Sequence, residues 1–206
     1  MAFQTEQEEF WAGSFGDEYI ARNKSAGLNA ANLQLFSQIL GHTHQVREIL
    51  ELGANIGMNL RALRTLVPEA VVSGIEINPN AIAELEKVCN GKAILGSLLE
   101  TEVRENYDFV FTKGVLIHID PSQLEKVYDL LYATSKRYIC VAEYYNPSPV
   151  AIPYRGHENR LFKRDFAGEL LTRHSDLSLL GYGFCYRNDP NFPQDDITWF
   201  LIEKKA

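Results

Sequence analysis

The sequence predicts an α/β fold in which a mostly parallel sheet carries helices on both faces. First, five apolar β-type runs alternate with helical patterns between residues 46 and 145, which is typical of repeated strand-helix units. Second, Asn78-Pro79 and Asp120-Pro121 each place a capping residue before a proline, as at helix N-termini. Third, β-type runs at 177–187 and 197–203 flank a proline-containing turn. They predict a hairpin that completes a seven-stranded sheet with its last strand antiparallel.

Residues 1–45 are predicted to form a lid and helices. The first 25 residues are rich in aromatic side chains: Phe3, Phe10, Trp11, Phe15 and Tyr19. Exposed aromatic rings would lose the free energy that burial provides, so this segment is expected to lie as a flap or helix over the site. Residues 28–40 carry apolar side chains at helical spacing and predict a helix.

Residues 46–145 are predicted to form the core of the fold. Its strands are expected at 46–52, 71–76, 93–96, 107–112 and 137–145. Its helices are expected at about 56–66, from Asn78-Pro79 to Asn90-Gly91, and after Asp120-Pro121.

Residues 146–206 are predicted to supply a long loop and the closing hairpin. The loop, residues 146–160, contains Pro147, Pro149, Pro153 and Gly156. A connection of this length is more often functional than a simple link between elements. A helix is expected to follow at 161–172.

Length and composition predict one domain that spans residues 1–206. With 46% hydrophobic side chains, the chain can form one sizeable core but is short for two. The formal net charge of -7 opposes attraction to a phosphate backbone, so no nucleic acid partner is expected. No stretch suggests a membrane span or a signal peptide. Cys89, Cys140 and Cys185 form no CxxC pair, which favours reduced cysteines and a cytoplasmic location.

The stretch 49–57 is the strongest indication of a ligand site. An apolar run ends in Gly53 and passes into a helical pattern, the kind of junction at which nucleotide-bearing cofactors are held. Gly53 lets a ligand approach the backbone. A dinucleotide fingerprint that begins there would need glycine at the places of Asn55 and Met58. Glu76 follows Gly57 by 19 residues, at the end of the next strand, where an acid accepts hydrogen bonds from ribose hydroxyls.

Ligands of open α/β sheets bind at the carboxyl ends of the strands. The candidate residues there are Glu51, Gly53, Ala54, Asn55, Gly57, Glu76, Ile77, Gly96, Ser97, Leu98, Lys113, Gly114, Glu143, Tyr144 and Tyr145. His118, beyond the fourth strand, is expected to contact the ligand from an apolar face rather than to act as a base.

Residues 154–174 form a cationic segment in an acidic chain, with five Lys or Arg against three acids. Arginine can grip a carboxylate or phosphate bidentately. Arg155, Arg160 and Lys163 are therefore the predicted substrate-binding residues. A solvated basic surface without a ligand is the alternative.

Two motifs resemble those of the class I methyltransferases. Glu51, Gly53 and Gly57 resemble the first motif of that class, and residues 107–119 resemble its fourth. The resemblance implies a core that binds S-adenosylmethionine and leaves S-adenosylhomocysteine as product. It departs at Ser97, where many methyltransferases carry an acid that reads the adenine amino group.

A narrower resemblance extends from residue 10 to the C-terminal hairpin. Residues 10–23, 53–57, 113–118 and 154–166 are together similar to the methylases associated with pseudaminic acid biosynthesis. This similarity implies an enzyme that works near nonulosonic acid sugars, on a small and anionic sugar-acid type of substrate. In the lid, Trp11, Tyr19 and Arg22 are expected to face the cofactor.

The sequence therefore predicts an S-adenosylmethionine-dependent methyltransferase that acts on a small molecule, as a monomer or homodimer. If the acceptor needs a base, the candidates are Tyr144, Tyr145 and His157. No metal site is predicted, because the histidines lack partners at ligand spacing. Two alternatives remain open. One is a cofactor-binding regulator or scaffold without turnover, and the other is a nicotinamide-dependent oxidoreductase.

Overall fold

The computed structural model describes residues 3–22 and 25–205. In chain order the strands are β1 (Glu48–Leu52), β2 (Val71–Glu76), β3 (Ala93–Leu95), β4 (Tyr107–Lys113), β5 (Ser135–Glu143), β6 (Val150–Tyr154), β7 (His157–Lys163), β8 (Leu177–Cys185) and β9 (Ile197–Lys204). The α-helices are α1 (Glu6–Ala12), α2 (Ser14–Arg22), α3 (Ala26–Leu40), α4 (Met58–Leu66), α5 (Pro79–Val88), α6 (Leu124–Thr134) and α7 (Phe166–Arg173). Two short 3-10 turns, Leu116–His118 and Pro121–Gln123, precede α6.

Seven of the strands form one sheet in the order β3-β2-β1-β4-β5-β9-β8. Strands β1 to β5 pair in parallel, whereas β9 runs antiparallel to both β5 and β8. The predicted fold class is confirmed, including the antiparallel last strand. The strand order reverses between β1 and β4, and ligands of open α/β sheets bind at such a reversal.

Helices cover both faces of the sheet because successive strand residues point to opposite sides. On one face, Leu60 of α4 and Leu85 of α5 belong to the same buried cluster as Phe111 of β4. On the other face, Leu131 of α6 packs in a cluster with Val110. The two clusters hold the carboxyl ends of the central strands in place.

The predicted loop at residues 146–160 is wrong, because β6 and β7 form a separate two-stranded antiparallel sheet. The predicted helix at 161–172 is also displaced. Its first residues belong to β7, and α7 begins only at Phe166.

The β6–β7 hairpin has local features that accommodate its unusual sequence. Arg155 and Gly156 form its turn with φ values of 51° and 86°, and positive φ at both central residues suits a two-residue hairpin. Pro153 lies where the register shifts between Ile152 and Tyr154. The missing N–H of this proline therefore interrupts no regular ladder.

The aromatic N-terminal segment forms α1 and α2, and a capping box begins α1. Thr5 Oγ1 accepts a hydrogen bond from the Glu8 amide at 3.2 Å, while Glu8 Oε2 accepts one from the Thr5 amide at 2.9 Å. Gln7 Nε2 donates to the carbonyl of Asn159 at 3.0 Å. This N-terminal segment, referred to below as the lid, is thus attached to the hairpin.

The three cysteines are free thiols. In the part of the chain that the structure describes, no helix has the length and apolar character needed to cross a membrane. Within the same ranges, no group of three or more His, Cys, Asp or Glu side chains is arranged to hold a metal ion.

Candidate functional site

A cavity of about 220 Å³ opens at the carboxyl ends of β1, β2 and β4. Most residues predicted to bind the cofactor line it: Trp11, Tyr19, Gly53, Ala54, Asn55, Glu76, Ile77, Gly96, Ser97, Leu98, Lys113, Gly114 and His118. The side chain of Arg22 lies outside the described part of the chain. The cavity also has lining residues that the sequence did not predict: Gln7, Glu8, Asn32, Asn59, Gln194 and Asp195.

The turn after β1 is held by the neighbouring strand. The amides of Gly53 and Ala54 both donate to the carbonyl of Ile75 at 2.9 Å. Gly53 has a φ of 77°, and a Cβ at this position would lie 2.6 Å from the Val115 side chain. The structure thus gives two reasons for this glycine that the sequence did not show: its left-handed backbone and its packing against Val115.

Glu76 presents a buried carboxylate to the cavity. Its Oε2 accepts from the Asn55 amide at 2.6 Å and its Oε1 from the Asn78 amide at 2.8 Å. Burial raises the pKa of Glu76, and these backbone hydrogen bonds counteract the rise. Both oxygens are fixed, and each has a second lone pair for a further donor. The arrangement suits two adjacent hydroxyl groups.

A second carboxylate, absent from the sequence predictions, lies at the end of the cavity beside β3. Glu8 of α1 is only 6% exposed, and its Oε1 is hydrogen-bonded to Ser97 Oγ. Its Oε2 accepts from the amides of Gln4 at 2.6 Å and Thr5 at 2.9 Å. The Thr5-x-x-Glu8 capping box was visible in the sequence, but it carries no sign of a contact with Ser97, 89 residues away.

His118 lines the cavity and is packed against aromatic side chains, while its contact with a cofactor stays a prediction. It is 7% exposed, and its ring centroid lies 4.6 Å from that of Trp11 and 4.9 Å from that of Tyr154. Its Nδ1 donates to the carbonyl of Arg160 at 2.5 Å, because a carbonyl oxygen can only accept. Burial lowers the pKa of His118 to about 4. The ring is therefore neutral near pH 7, with Nε2 as an acceptor.

The lid places two aromatic side chains against the cavity. Trp11 and Tyr19 meet edge to face, with ring centroids 5.2 Å apart. The indole Nε1 of Trp11 is buried and has no hydrogen-bond partner among the described residues. It is a donor that a ligand in the cavity can satisfy.

Two residues predicted to bind the cofactor stand behind the cavity lining. Glu51 is fully buried, and its Oε1 accepts from Nδ2 of Asn59, a lining residue, at 2.6 Å. Burial raises the pKa of Glu51 to about 8. Gly57 is the N-cap of α4 and faces Leu85 and Val88. The structure does not bring Glu51 or Gly57 to the cavity surface, and both support the residues that form it.

Glu143 holds the turn that carries Gly114 and His118. Its Oε1 accepts from the amides of Val115 at 3.0 Å and Leu116 at 3.1 Å. Burial raises the pKa of Glu143 to about 7, against the effect of these hydrogen bonds. Glu143 therefore caps the backbone amides of this turn.

At the end of the cavity away from β3, the lining is polar. It consists of Lys113, Asn32, Gln194 and Asp195. Asn32 and Gln194 are buried, and Gln194 Nε2 donates to Asn32 Oδ1 at 3.1 Å. Burial lowers the pKa of Lys113, and the charges of the nearby acids Glu51 and Asp195 offset only part of this fall. The sequence signal for this region was weak: Asn32 interrupts the apolar face of α3.

None of the three predicted catalytic residues lines the cavity. Tyr144 is half-buried between the two hydrophobic clusters, near the lining residues Tyr19 and Asp195. Tyr145 is exposed, with its ring 5.8 Å from that of Phe200. His157 is exposed and packs on Phe10, with ring centroids 5.0 Å apart. Tyr145 and His157 are thus not among the residues that line the cavity, and their role as a base stays a prediction.

The three predicted substrate-binding cations also lie outside the cavity lining. Arg155 is exposed at the hairpin turn. Arg160 Nη2 lies 3.1 Å from Oε2 of Glu6 in α1, so this arginine ties the hairpin to the lid. Lys163 Nζ lies 5.1 Å from the centroid of the Tyr144 ring. Of the three cations, Arg160 links the hairpin to the lid, and substrate binding by the cationic segment stays a prediction.

Comparisons with known proteins identify a fold. No protein-family model and no curated protein matches this chain. A 1,6-didemethyltoxoflavin-N1-methyltransferase from Burkholderia thailandensis aligns with a TM-score of 0.72 and 12% identity, over 97% of this chain and 87% of that one. Magnesium protoporphyrin IX methyltransferase from Synechocystis aligns with a TM-score of 0.67 and 12% identity, over 96% and 97% of the two chains.

The chain has a class I methyltransferase fold. An amino pentose methyltransferase from Micromonospora echinaspora also matches, with a TM-score of 0.64 and 11% identity over 93% of this chain and 96% of that one. At such identities the likeness concerns the class I methyltransferase fold alone, and function must be argued from the site. These structures do not bear on the narrower resemblance to the methylases of pseudaminic acid biosynthesis.

Proposed function

We propose that this protein is an S-adenosylmethionine-dependent methyltransferase that acts on a small molecule. The observation that carries the proposal is the fixed carboxylate of Glu76, beside the Gly53 turn, in a cavity that the lid covers. Asn55 and Met58 stand where a pyrophosphate-binding turn has glycine, which favours a cofactor without phosphate. The matching methyltransferase structures contain S-adenosylhomocysteine or S-adenosylmethionine, which supports the same cofactor here.

The cavity residues fit the parts of this cofactor. Glu76 would accept hydrogen bonds from the two ribose hydroxyls. The base would lie beside Ile77 and Leu98, and the amino-acid part would extend past Gly53 and Gly114. In this proposal residues 46–145 bind the cofactor, while residues 1–45 and 146–206 cover it and complete the acceptor side.

When bound, S-adenosylmethionine supplies an electrophilic methyl group. The work of the chain is to align the acceptor with that group and to keep water out. The lid lines the cavity with Trp11, whose ring lies next to the neutral ring of His118, and Tyr154 of the hairpin packs behind both. None of the predicted bases lines the cavity, and Tyr144 is near its lining residues Tyr19 and Asp195. The site therefore favours a reaction that depends on alignment more than on a strong base.

The acceptor is the finer part of the proposal. The sequence resemblance implies an anionic sugar acid of the nonulosonic acid pathway. Such a substrate needs a cation in the cavity, and Arg155, Arg160 and Lys163 are all placed elsewhere. Lys113 is the cation of the described lining, so an anionic acceptor would be bound by this residue.

The proposed function is tested by binding and by turnover. We expect calorimetry to show S-adenosylhomocysteine binding and no comparable binding of NAD. We then expect label transfer from methyl-labelled S-adenosylmethionine to the small-molecule fraction of a cell extract. Binding without transfer from any extract would favour the regulator or scaffold alternative, and binding of NAD alone would favour the oxidoreductase.

A further inference from the structure

The end of the cavity beside β4 holds donors that no described protein group satisfies. Lys113 lines the cavity, and its ammonium forms no ion pair with any described residue. Asn32 is 0% exposed, and its Oδ1 accepts from Gln194, but its Nδ2 has no partner in the described ranges. Buried donors are rarely left unpaired in native proteins. The two side chains indicate a ligand that brings acceptor atoms.

These donors lie to one side of the space assigned to the cofactor. Glu76 ends β2 and Lys113 ends β4, with β1 between the two strands. Asn32 belongs to α3, and Gln194 to the connection between β8 and β9. Burial lowers the pKa of Lys113, and the negative charge of Asp195 in the same connection opposes that fall, which places the two side chains close together. The polar end of the cavity therefore faces the β5 and β9 side of the sheet, away from the ribose position.

We propose that Lys113 and Asn32 bind a carboxylate of the methyl acceptor, which is then a small monoanionic acid. The inference rests on the proposed function, because it assigns the space next to the cofactor. An ammonium and an amide N–H together match the acceptor oxygens of one carboxylate. The chain carries a net charge of -7, and Asp195 lines the same end of the cavity. A doubly charged phosphate would meet more repulsion there than a carboxylate.

The test uses acetate as the carboxylate probe and acetamide as its neutral counterpart. Protein labelled with ¹⁵N is saturated with S-adenosylhomocysteine, and the side-chain amide resonance of Asn32 is followed by NMR. Acetate is expected to shift this resonance, and acetamide is not. Lys113→Met should weaken acetate binding by about tenfold or more. Lys87→Met removes the same charge from a side chain on α5 that is 67% exposed and should leave acetate binding unchanged.

A second experiment distinguishes a binding site for the carboxylate of the acceptor from a binding site for the carboxylate of the cofactor. Methylthioadenosine has the nucleoside and the sulfur of the cofactor but no carboxylate. Acetate binding to both the S-adenosylhomocysteine-loaded and the methylthioadenosine-loaded protein supports an acceptor site. Binding to the methylthioadenosine form alone would assign Lys113 to the cofactor's carboxylate and overturn the inference.

The remaining outcomes also decide the matter. No acetate effect in either form, or an equal response to acetamide, overturns the inference while the proposed function stands. Loss of acetate binding in Lys113→Met counts only if that variant still binds methylthioadenosine and melts as the wild type does. A wild-type protein that binds neither nucleoside contradicts the proposed function and the inference together.

Discussion

Glu8 of α1 and Ser97 at the carboxyl end of β3 share a hydrogen bond that joins the lid to the sheet. Many class I methyltransferases carry an acid at the position of Ser97, and the sequence departs from the resemblance there. The structure brings a carboxylate to that place from 89 residues away. The lid thereby supplies a carboxylate to the end of β3, and we expect recognition of a base at this end to depend on the lid.

Glu8→Gln is expected to weaken S-adenosylhomocysteine binding and to reduce the preference for adenine over hypoxanthine. A carboxylate only accepts hydrogen bonds, so it favours the adenine amino group over the hypoxanthine oxygen, whereas an amide serves both. Calorimetry with S-adenosylhomocysteine and S-inosylhomocysteine should show a preference that falls by about tenfold in the variant. An unchanged preference would remove Glu8 from the base end of the site.

Glu76→Ala is expected to lower the affinity for S-adenosylhomocysteine by about tenfold or more, because two charge-assisted hydrogen bonds to the ribose are lost. The same change also removes the acceptors of the Asn55 and Asn78 amides. Glu76→Gln keeps one acceptor oxygen and should bind more tightly than Glu76→Ala. A dissociation constant equal to that of the wild type, in a variant that melts normally, would contradict the ribose assignment.

Deletion of residues 1–24 is expected to leave a folded core that binds the cofactor poorly. The truncated chain keeps Ser25, whose Oγ accepts from the Leu28 amide at 3.2 Å and caps α3. It loses Trp11, Tyr19 and Glu8 from the cavity wall. Calorimetry and thermal melting on the truncated protein provide the check, and full affinity in a cooperatively melting core would show that the lid only packs.

The free energy of unfolding of the Glu51→Gln variant, relative to that of the wild type, is expected to increase as the pH rises. Burial raises the pKa of Glu51 from its ordinary value of 4.5 to about 8, so the folded state binds more protons than the unfolded state between these values. The wild-type free energy of unfolding therefore falls as the pH increases through this window, and the glutamine variant lacks that loss. Urea denaturation of both proteins at about pH 5 and pH 8 provides the measurement. The stability of the variant relative to the wild type should be roughly 1–3 kcal/mol greater at pH 8 than at pH 5. If the stability difference between the two proteins were the same at both pH values, the raised pKa of Glu51 would be contradicted.

Arg155→Asn is expected to leave ligand binding unchanged and to raise the melting temperature slightly. Arg155 lies at a φ of 51°, a conformation that asparagine tolerates better than most residues. Arg155→Val should lower the melting temperature, because β-branched residues are strained there. If Arg155→Ala raised the acceptor constant without changing stability, the turn would have to approach the substrate after all.

The central sheet was predictable because each unit carries a local signal. Asn78 illustrates this, since its Oδ1 accepts from the amides of Asn80 at 2.8 Å and Ala81 at 3.2 Å at the predicted start of α5. The hairpin was missed because prolines usually exclude strands. Pro153 is tolerated only because it lies at a shift in register within a ribbon of two strands.

The cavity was predictable where its residues end a strand, as Glu76 and Lys113 do. Its other walls depend on contacts that no local pattern records. Asn32 and Gln194, which pair across the polar end, are 162 residues apart in the chain. A buried amide on an apolar helix face hints at a partner, but the identity of that partner appears only when the chain is folded.

The bond between Gln7 and the carbonyl of Asn159 joins segments 152 residues apart, and Arg160 pairs with Glu6 beside it. Movement of the lid away from the hairpin would break both contacts. We therefore expect the lid and the hairpin to move together when a ligand enters or leaves the cavity. Amide hydrogens of α1 and β7 should then exchange with solvent at a common rate, and both should slow by the same factor when the cavity is filled.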